Sequence, residues 1–160
     1  LTRQNIPVFA RGEGAASGDE FASAEGAVKG AYVLAEAKNG EPDVILIATG
    51  SEVQLAVEAR EKLAAEGVHA RVVSAPSLEW FAEQDEAYRE SVLPSSVKAR
   101  VSVEAGSALS WAGIVGDAGR SVAIDHFGAS ADYKTLFQKF GITAEAVVEA
   151  ARDSLAAAKK

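Results

Sequence analysis

Cysteine is absent from the 160 residues, and so is methionine. Without cysteine there is no disulfide framework and no thiolate nucleophile, which fits a cytoplasmic setting. Basic charge is scarce as well. Sixteen Lys and Arg against 23 Asp and Glu leave a net charge of -7, and no basic run is longer than Lys159-Lys160. Nucleic acid and anionic membrane surfaces repel such a chain, so neither is an expected partner. No apolar run approaches the length of a membrane span, and no secretory signal is present. The missing methionine, together with the abrupt opening Leu1-Thr2-Arg3-Gln4-Asn5, reads as a piece of a larger polypeptide. What is present suits one globular domain with a real core: the length is that of a single domain and 48% of the residues are hydrophobic.

Residues 6 to 30 contain few large apolar groups and carry Gly12, Gly14, Gly18, Gly26 and Gly30. They read as an irregular connector, so residues 1–30 lead into a domain formed by 31–160. Ala31 to Leu34 is a short apolar stretch, and Asn39-Gly40 marks a turn. The run Val44-Ile45-Leu46-Ile47 is apolar throughout, as in a strand buried on both faces. Two strands around Asn-Gly predict an antiparallel hairpin. Ser51 to Glu66 has helical spacing of Val53, Ala56, Val57 and Leu63, with Gly67 as its stop. Further strands are expected at 70–74, 99–104 and 121–125. Further helices are expected at 78–81, 85–92, 108–115, 130–140 and 143–158. The last helix opens with Thr143 as N-cap, between Ile142 and Val147 placed as a hydrophobic staple. Five strands separated largely by helices predict a three-layer α/β/α sandwich. Its five-stranded sheet is mostly parallel, with one antiparallel strand.

The stretch Thr49-Gly50-Ser51-Glu52 joins a strand to a helix, a place where free N–H groups can hold an anion. Capping is the plainer reading. Ser51 and Gln54 fit an S-x-x-Q capping box, there is no Walker or G-x-G-x-x-G pattern, and Glu52 puts a carboxylate where a phosphate would sit. His69 and His126 are the two histidines, and neither has metal-ligand spacing around it. His126 beside Asp125 has the form of an oriented base, without a nucleophile to serve. Glu79 and the run Glu83-Gln84-Asp85-Glu86 read as solvated faces. Trp80-Phe81 and Trp111 read as core or interface anchors, with nothing in the sequence to assign the face that docks. Arg3 is either a solvated linker arginine or, through its planar fork, a phosphate contact.

Six stretches in order, LTRQNIP (1–7), DVILIATGSEVQLAVEA (43–59), ARVVSAPS (70–77), YRESVLP (88–94), SVEAG (102–106) and FGAS (127–130), together resemble the C-terminal domain of transketolase. They cover nearly the whole chain. Departures are Asp132, where the family often has proline, and a glycine-rich 9–20. The resemblance implies an enzyme that moves a two-carbon ketol unit from a ketose phosphate to an aldose phosphate in the pentose phosphate pathway. It implies a cytoplasmic homodimer using thiamine diphosphate and Mg²⁺ or Ca²⁺, both held by the other domains of the two subunits. This chain has neither the family's G-D-G stretch nor its catalytic histidines. It is therefore expected to bind no cofactor, to be inactive alone, and to support the structure and the dimer. One residue carries over: Arg3 stands where the family's arginine contacts the substrate phosphate. The alternative reading is a regulatory module of a related enzyme, of the deoxyxylulose-phosphate synthase or pyruvate dehydrogenase E1 type. Such a module would bind a nucleotide or phosphate near Gly50-Ser51 and Glu104-Ala105-Gly106, in a crevice at the strand ends. A third reading is an interaction domain without a ligand.

Overall fold

The computed structural model describes residues 21–38 and 40–159. Arg3 and the 9–20 segment lie outside the described residues. The elements run β1 (Tyr32–Ala35), β2 (Val44–Ala48), α1 (Val53–Ala65), β3 (Ala70–Ser74), α2 (Leu78–Ala82), α3 (Glu86–Val92), β4 (Arg100–Val103), α4 (Ala112–Val115), β5 (Arg120–Val122), α5 (Tyr133–Lys139) and α6 (Ala144–Ala158). Short 3₁₀ turns precede β1 (Ala24–Lys29), α1 (Gly50–Glu52) and α4 (Ala108–Trp111).

The strands form one sheet in the order β1-β3-β2-β4-β5, all parallel except β1. Alternation along β2 makes two cores. Val44, Leu46 and Ala48 face a layer made by α1 and α6, where Ala56, Leu63, Val147 and Ala151 close the packing. Ile45 and Ile47 face the opposite layer, against Phe81, Val92, Trp111 and Val115. All five β2 residues are fully buried, so this strand needs a neighbour on each side and a layer on each face. The expected three-layer sandwich and its one antiparallel strand are therefore the observed fold.

The expected Asn-Gly hairpin does not form. β1 pairs antiparallel with β3, Tyr32 opposite Ser74 and Val33 opposite Val73, with an irregularity before Ala35. β3 is buried over Ala70–Val73 and takes the interior place beside β2, whereas β1 is only half buried and takes the edge. Burial of the more apolar strand overrides the short loop. The connector also gains structure near the sheet. The amide of Ala22 donates to Leu34 O at 2.8 Å, and that of Ser77 donates to Gly30 O at 2.9 Å. Gly30 has φ +84°, and a Cβ there would collide with the Ser77 carbonyl and the Phe81 amide.

Helix ends follow local chemistry. α1 closes in a Schellman turn, with Val68 N–H to Leu63 O (3.0 Å) and Gly67 N–H to Ala64 O (3.1 Å), Gly67 taking φ +79°. Thr143 caps α6 by accepting from Ala146 N at 3.2 Å, and Ile142 and Val147 are buried as the staple requires. α5 begins at Tyr133 rather than Ser130, because the Asp132 carboxylate accepts from the Thr135 amide and sets the start there. Ser154, fully buried in α6, accepts from Arg100 N (3.0 Å) and donates to Ala118 O (2.8 Å), pinning the helix to the amino ends of β4 and β5. Among the described residues no helix is long and apolar enough to cross a membrane.

Candidate functional site

In an open α/β sheet, ligands favour the crevice at the carboxyl ends of two neighbouring strands whose connections leave in opposite directions. Here those strands are β2 and β4. β2 continues into α1 on one face, and β4 continues into the 108–115 turn and α4 on the other. The crevice lies between Thr49–Glu52 and Glu104–Gly106, the two stretches the sequence singles out.

The chain's own carboxylate fills it. Glu52 is buried, and its Oε1 accepts from Ala105 N at 3.1 Å, while its Oε2 accepts from Ser51 Oγ at 2.8 Å. The expected Ser51–Gln54 capping box does not form, because Ser51 lies inside the 3₁₀ turn Gly50–Glu52 rather than at the N-cap, and its hydroxyl donates to Glu52. A carboxylate near the first turn of α1 is favoured by the helix dipole, as an external anion would be. The neighbouring acids are also committed internally. Glu104 Oε2 accepts the indole N–H of buried Trp111 at 2.8 Å. Asp125 Oδ1 accepts from Ala108 N at 2.9 Å and from Ser107 Oγ at 3.2 Å. Three carboxylates along one edge repel a phosphate, and the amide of Ala105 already has its partner.

The two histidines lie at opposite ends of the sheet. His69 precedes β3, where its N–H donates to Asp43 Oδ2 at 2.8 Å and its carbonyl accepts from Asp43 N at 2.8 Å. His126 follows β5, with Nδ1 against Phe127 O (2.8 Å) and its ring edge-on to Phe140. Asp125 turns to the 107–108 loop rather than to His126, so the two make no acid–base pair. Among the described residues no three acids and histidines are placed to hold a metal ion. Asp85 caps α3 through Tyr88 N at 2.8 Å, and Glu79 meets Ser77 Oγ at 3.2 Å. Phe81 and Trp111 are core, while Trp80 is exposed.

Sequence reading passes over three arginines that organise the opposite, amino end. Arg100 donates to the carbonyls of Val97 (3.1 Å), Ile114 (2.8 Å), Leu93 (3.2 Å) and Pro94 (2.9 Å), and among the described residues it faces no carboxylate at bonding distance. Burial lowers its pKa. Arg71 forks onto Glu36 (2.9 and 3.2 Å) and caps Ser91 and Val92 carbonyls. Arg60 donates to Glu36 O and pairs with Glu61. No pattern marks these roles, since the accepting carbonyls come from distant loops. Clefts of about 600 and 480 Å³ flank Lys98 at this end, lined by groups of both signs such as Asp43, Arg71 and Asp117.

Comparison with known proteins bears directly on this arrangement. The family described as "Transketolase-like TK C-terminal domain" matches residues 30–143. The transketolase of Mycobacterium leprae is 52% identical over 97% of this chain and 21% of its own length. The chloroplastic transketolase of Solanum tuberosum is 50% identical over 95% of the chain and 19% of its own. The chain thus spans about a fifth of the length of the curated relatives it matches. Among solved structures, transketolase from Leishmania mexicana superposes with a TM-score of 0.77 at 39% identity, covering 84% of this chain and 19% of that one. A Pichia stipitis transketolase in complex with sedoheptulose-7-phosphate gives 0.76 at 38%, covering 88% and 20%. A split-gene transketolase, an inactive beta4 tetramer, gives 0.59 at 27%, covering 79% and 42%. With the family pattern spanning most of the chain and relatives about half identical over nearly all of it, this polypeptide belongs to the transketolase-like C-terminal domain family.

Proposed function

We propose that the chain works as the supporting C-terminal domain of a transketolase. The whole enzyme moves a two-carbon ketol unit between a ketose phosphate and an aldose phosphate. It acts as a cytoplasmic homodimer, with thiamine diphosphate and Mg²⁺ or Ca²⁺ held by its other domains. Residues 1–30 form the connector and 31–160 the domain. Arg3, on the connector, meets the phosphate of the sugar, and the isolated chain is inactive.

The observation that carries this reading is the closed crevice: Glu52 occupies the place where a regulatory nucleotide or phosphate would bind. A domain of this family with its strand-end crevice filled by its own carboxylate suits support rather than ligand binding. The sugar phosphate in the Pichia stipitis complex and the inactive state of the split-gene tetramer are in keeping with it. Calorimetry tests the reading. Titrating the 160-residue chain with thiamine diphosphate and Mg²⁺ is expected to give no heat of binding. Micromolar affinity would overturn it. Thermal melts with ATP, inorganic phosphate and sugar phosphates are expected not to move, whereas a ligand at about 100 times its Kd would add about 2.7 kcal/mol.

A further inference from the structure

The four large hydrophobic side chains most exposed among the described residues are Val28, Trp80, Leu109 and Phe127. They come from four different connections, yet all lie at the carboxyl edge of the sheet. Val28 precedes Gly30, whose carbonyl meets Ser77 N just past β3. Trp80 sits in α2, directly after Ser77. Leu109 follows Ala108, whose amide is held by Asp125 beyond β5, and Phe127 is two residues further on. They thus run from the β1–β3 side to β5, across five strands and about 19 Å at 4.8 Å per strand.

The carboxylates of this edge, Glu52, Glu104 and Asp125, each accept a hydrogen bond from a donor of the same chain. The α1–α6 layer is of the opposite kind. Its outer side carries the ion pairs Lys62–Glu58, Lys62–Glu145 and Arg152–Glu66, as a solvated surface does. Trp80, 57% exposed, and Phe127, 99% exposed, are rigid aromatics of the sort that anchor interfaces.

The geometry points to the carboxyl edge as the surface that packs against the remaining four-fifths of the transketolase polypeptide, with Trp80 and Phe127 as its anchors. This rests on the functional reading above. The occupant follows from the size relation, since relatives about half identical over this chain are nearly five times longer. A second copy fits less well, because each chain brings a net charge of -7.

The test places 5-hydroxytryptophan at position 80 by codon suppression and follows its quenching by acrylamide. It is compared in the 160-residue chain and in the full-length enzyme that contains it. Expected is strong quenching in the isolated chain at every concentration, and loss of most of it in the full-length enzyme. Leu109→Ser and Phe127→Ser should leave the melting temperature of the isolated chain unchanged but lower that of the full-length enzyme. Equal quenching in both forms of an active enzyme would overturn the inference. So would quenching that falls as the isolated chain is concentrated, which assigns the edge to a second copy. Absence of transketolase activity from the full-length protein is a separate result, and it would sink the functional reading instead.

Discussion

Glu52→Ala removes the carboxylate that closes the crevice. Two hydrogen bonds go with it, from Ala105 N at 3.1 Å and from Ser51 Oγ at 2.8 Å. Hydrogen bonds to a charged group contribute about 1.5–3 kcal/mol each, and the lost helix-terminus attraction about another 0.5 kcal/mol. Against this stands relief of the cost of burying the charge, a few kcal/mol for a group this enclosed. The net expectation is a loss of about 3 kcal/mol, or about 6–12 °C in melting temperature for a chain of this length. Glu52→Gln keeps the shape and one acceptor toward Ala105, so it should cost about 1 kcal/mol. The assay is urea denaturation of the wild type and both variants, repeated with inorganic phosphate. Removing Glu52 also frees the Ala105 amide after β4, facing the start of α1, so phosphate should stabilise Glu52→Ala and leave the wild type unmoved. A Glu52→Ala chain as stable as wild type would refute the role assigned to this carboxylate. So would equal responses of the two proteins to phosphate.

In the full-length enzyme, Arg3→Ala should lower kcat/KM for phosphorylated sugars about 10- to 150-fold, mainly through KM, while hydroxypyruvate is barely affected; steady-state kinetics on both donors decides it. Ser154→Ala leaves the Arg100 amide and the Ala118 carbonyl without their buried partner, and should cost about 2–3 kcal/mol by urea denaturation. Gly30→Ala forces a side chain into a positive-φ position against Ser77 and Phe81, and should cost about 4 kcal/mol or abolish folding, read by circular dichroism melts. Hydrogen bonds hold the carboxyls of Glu90, Asp132 and Glu145 below their ordinary range: Ser95 for the first, Thr135 for the second and Lys62 for the third. Their stabilisation is present above the unfolded-state pKa of about 4 and is lost as pH falls through the lower folded-state values, so melts between pH 5 and 2 should decline. Asp132→Asn should make that decline shallower.

Local chemistry was readable and long-range pairing was not. The unbroken Val44–Ile47 run demanded burial on both faces, and β2 has it. Thr143, with Ile142 and Val147 around it, carried a complete helix start in six residues. The Asn39-Gly40 turn, by contrast, suggested a hairpin that β3 displaces, because the competition is settled by how much apolar surface each strand buries. Ser51–Gln54 matched a capping pattern, but a 3₁₀ turn over Gly50–Glu52 moves the start of α1 past Ser51. In Trp80-Phe81 adjacent aromatics point to opposite environments, and only the placement of α2 on the sheet says which is core. The arginine sites were invisible for a related reason. A guanidinium that caps carbonyls from Leu93 to Ile114 has no fixed spacing to any of them.

That β1 pairs with β3 and not with its sequence neighbour β2 orders the assembly of the domain in time. β1 pairs with β3, far on in the sequence, so its closure is expected late at that side of the sheet. It is also an edge strand, which among the described residues ladders to β3 alone. Such a strand can be supplied from outside. A chain cleaved between β1 and β2 should still hold together. A synthetic peptide carrying Ala24–Lys29 and Tyr32–Ala35 should insert beside β3 of a domain begun at residue 43, adding a strand as peptides do at open sheet edges.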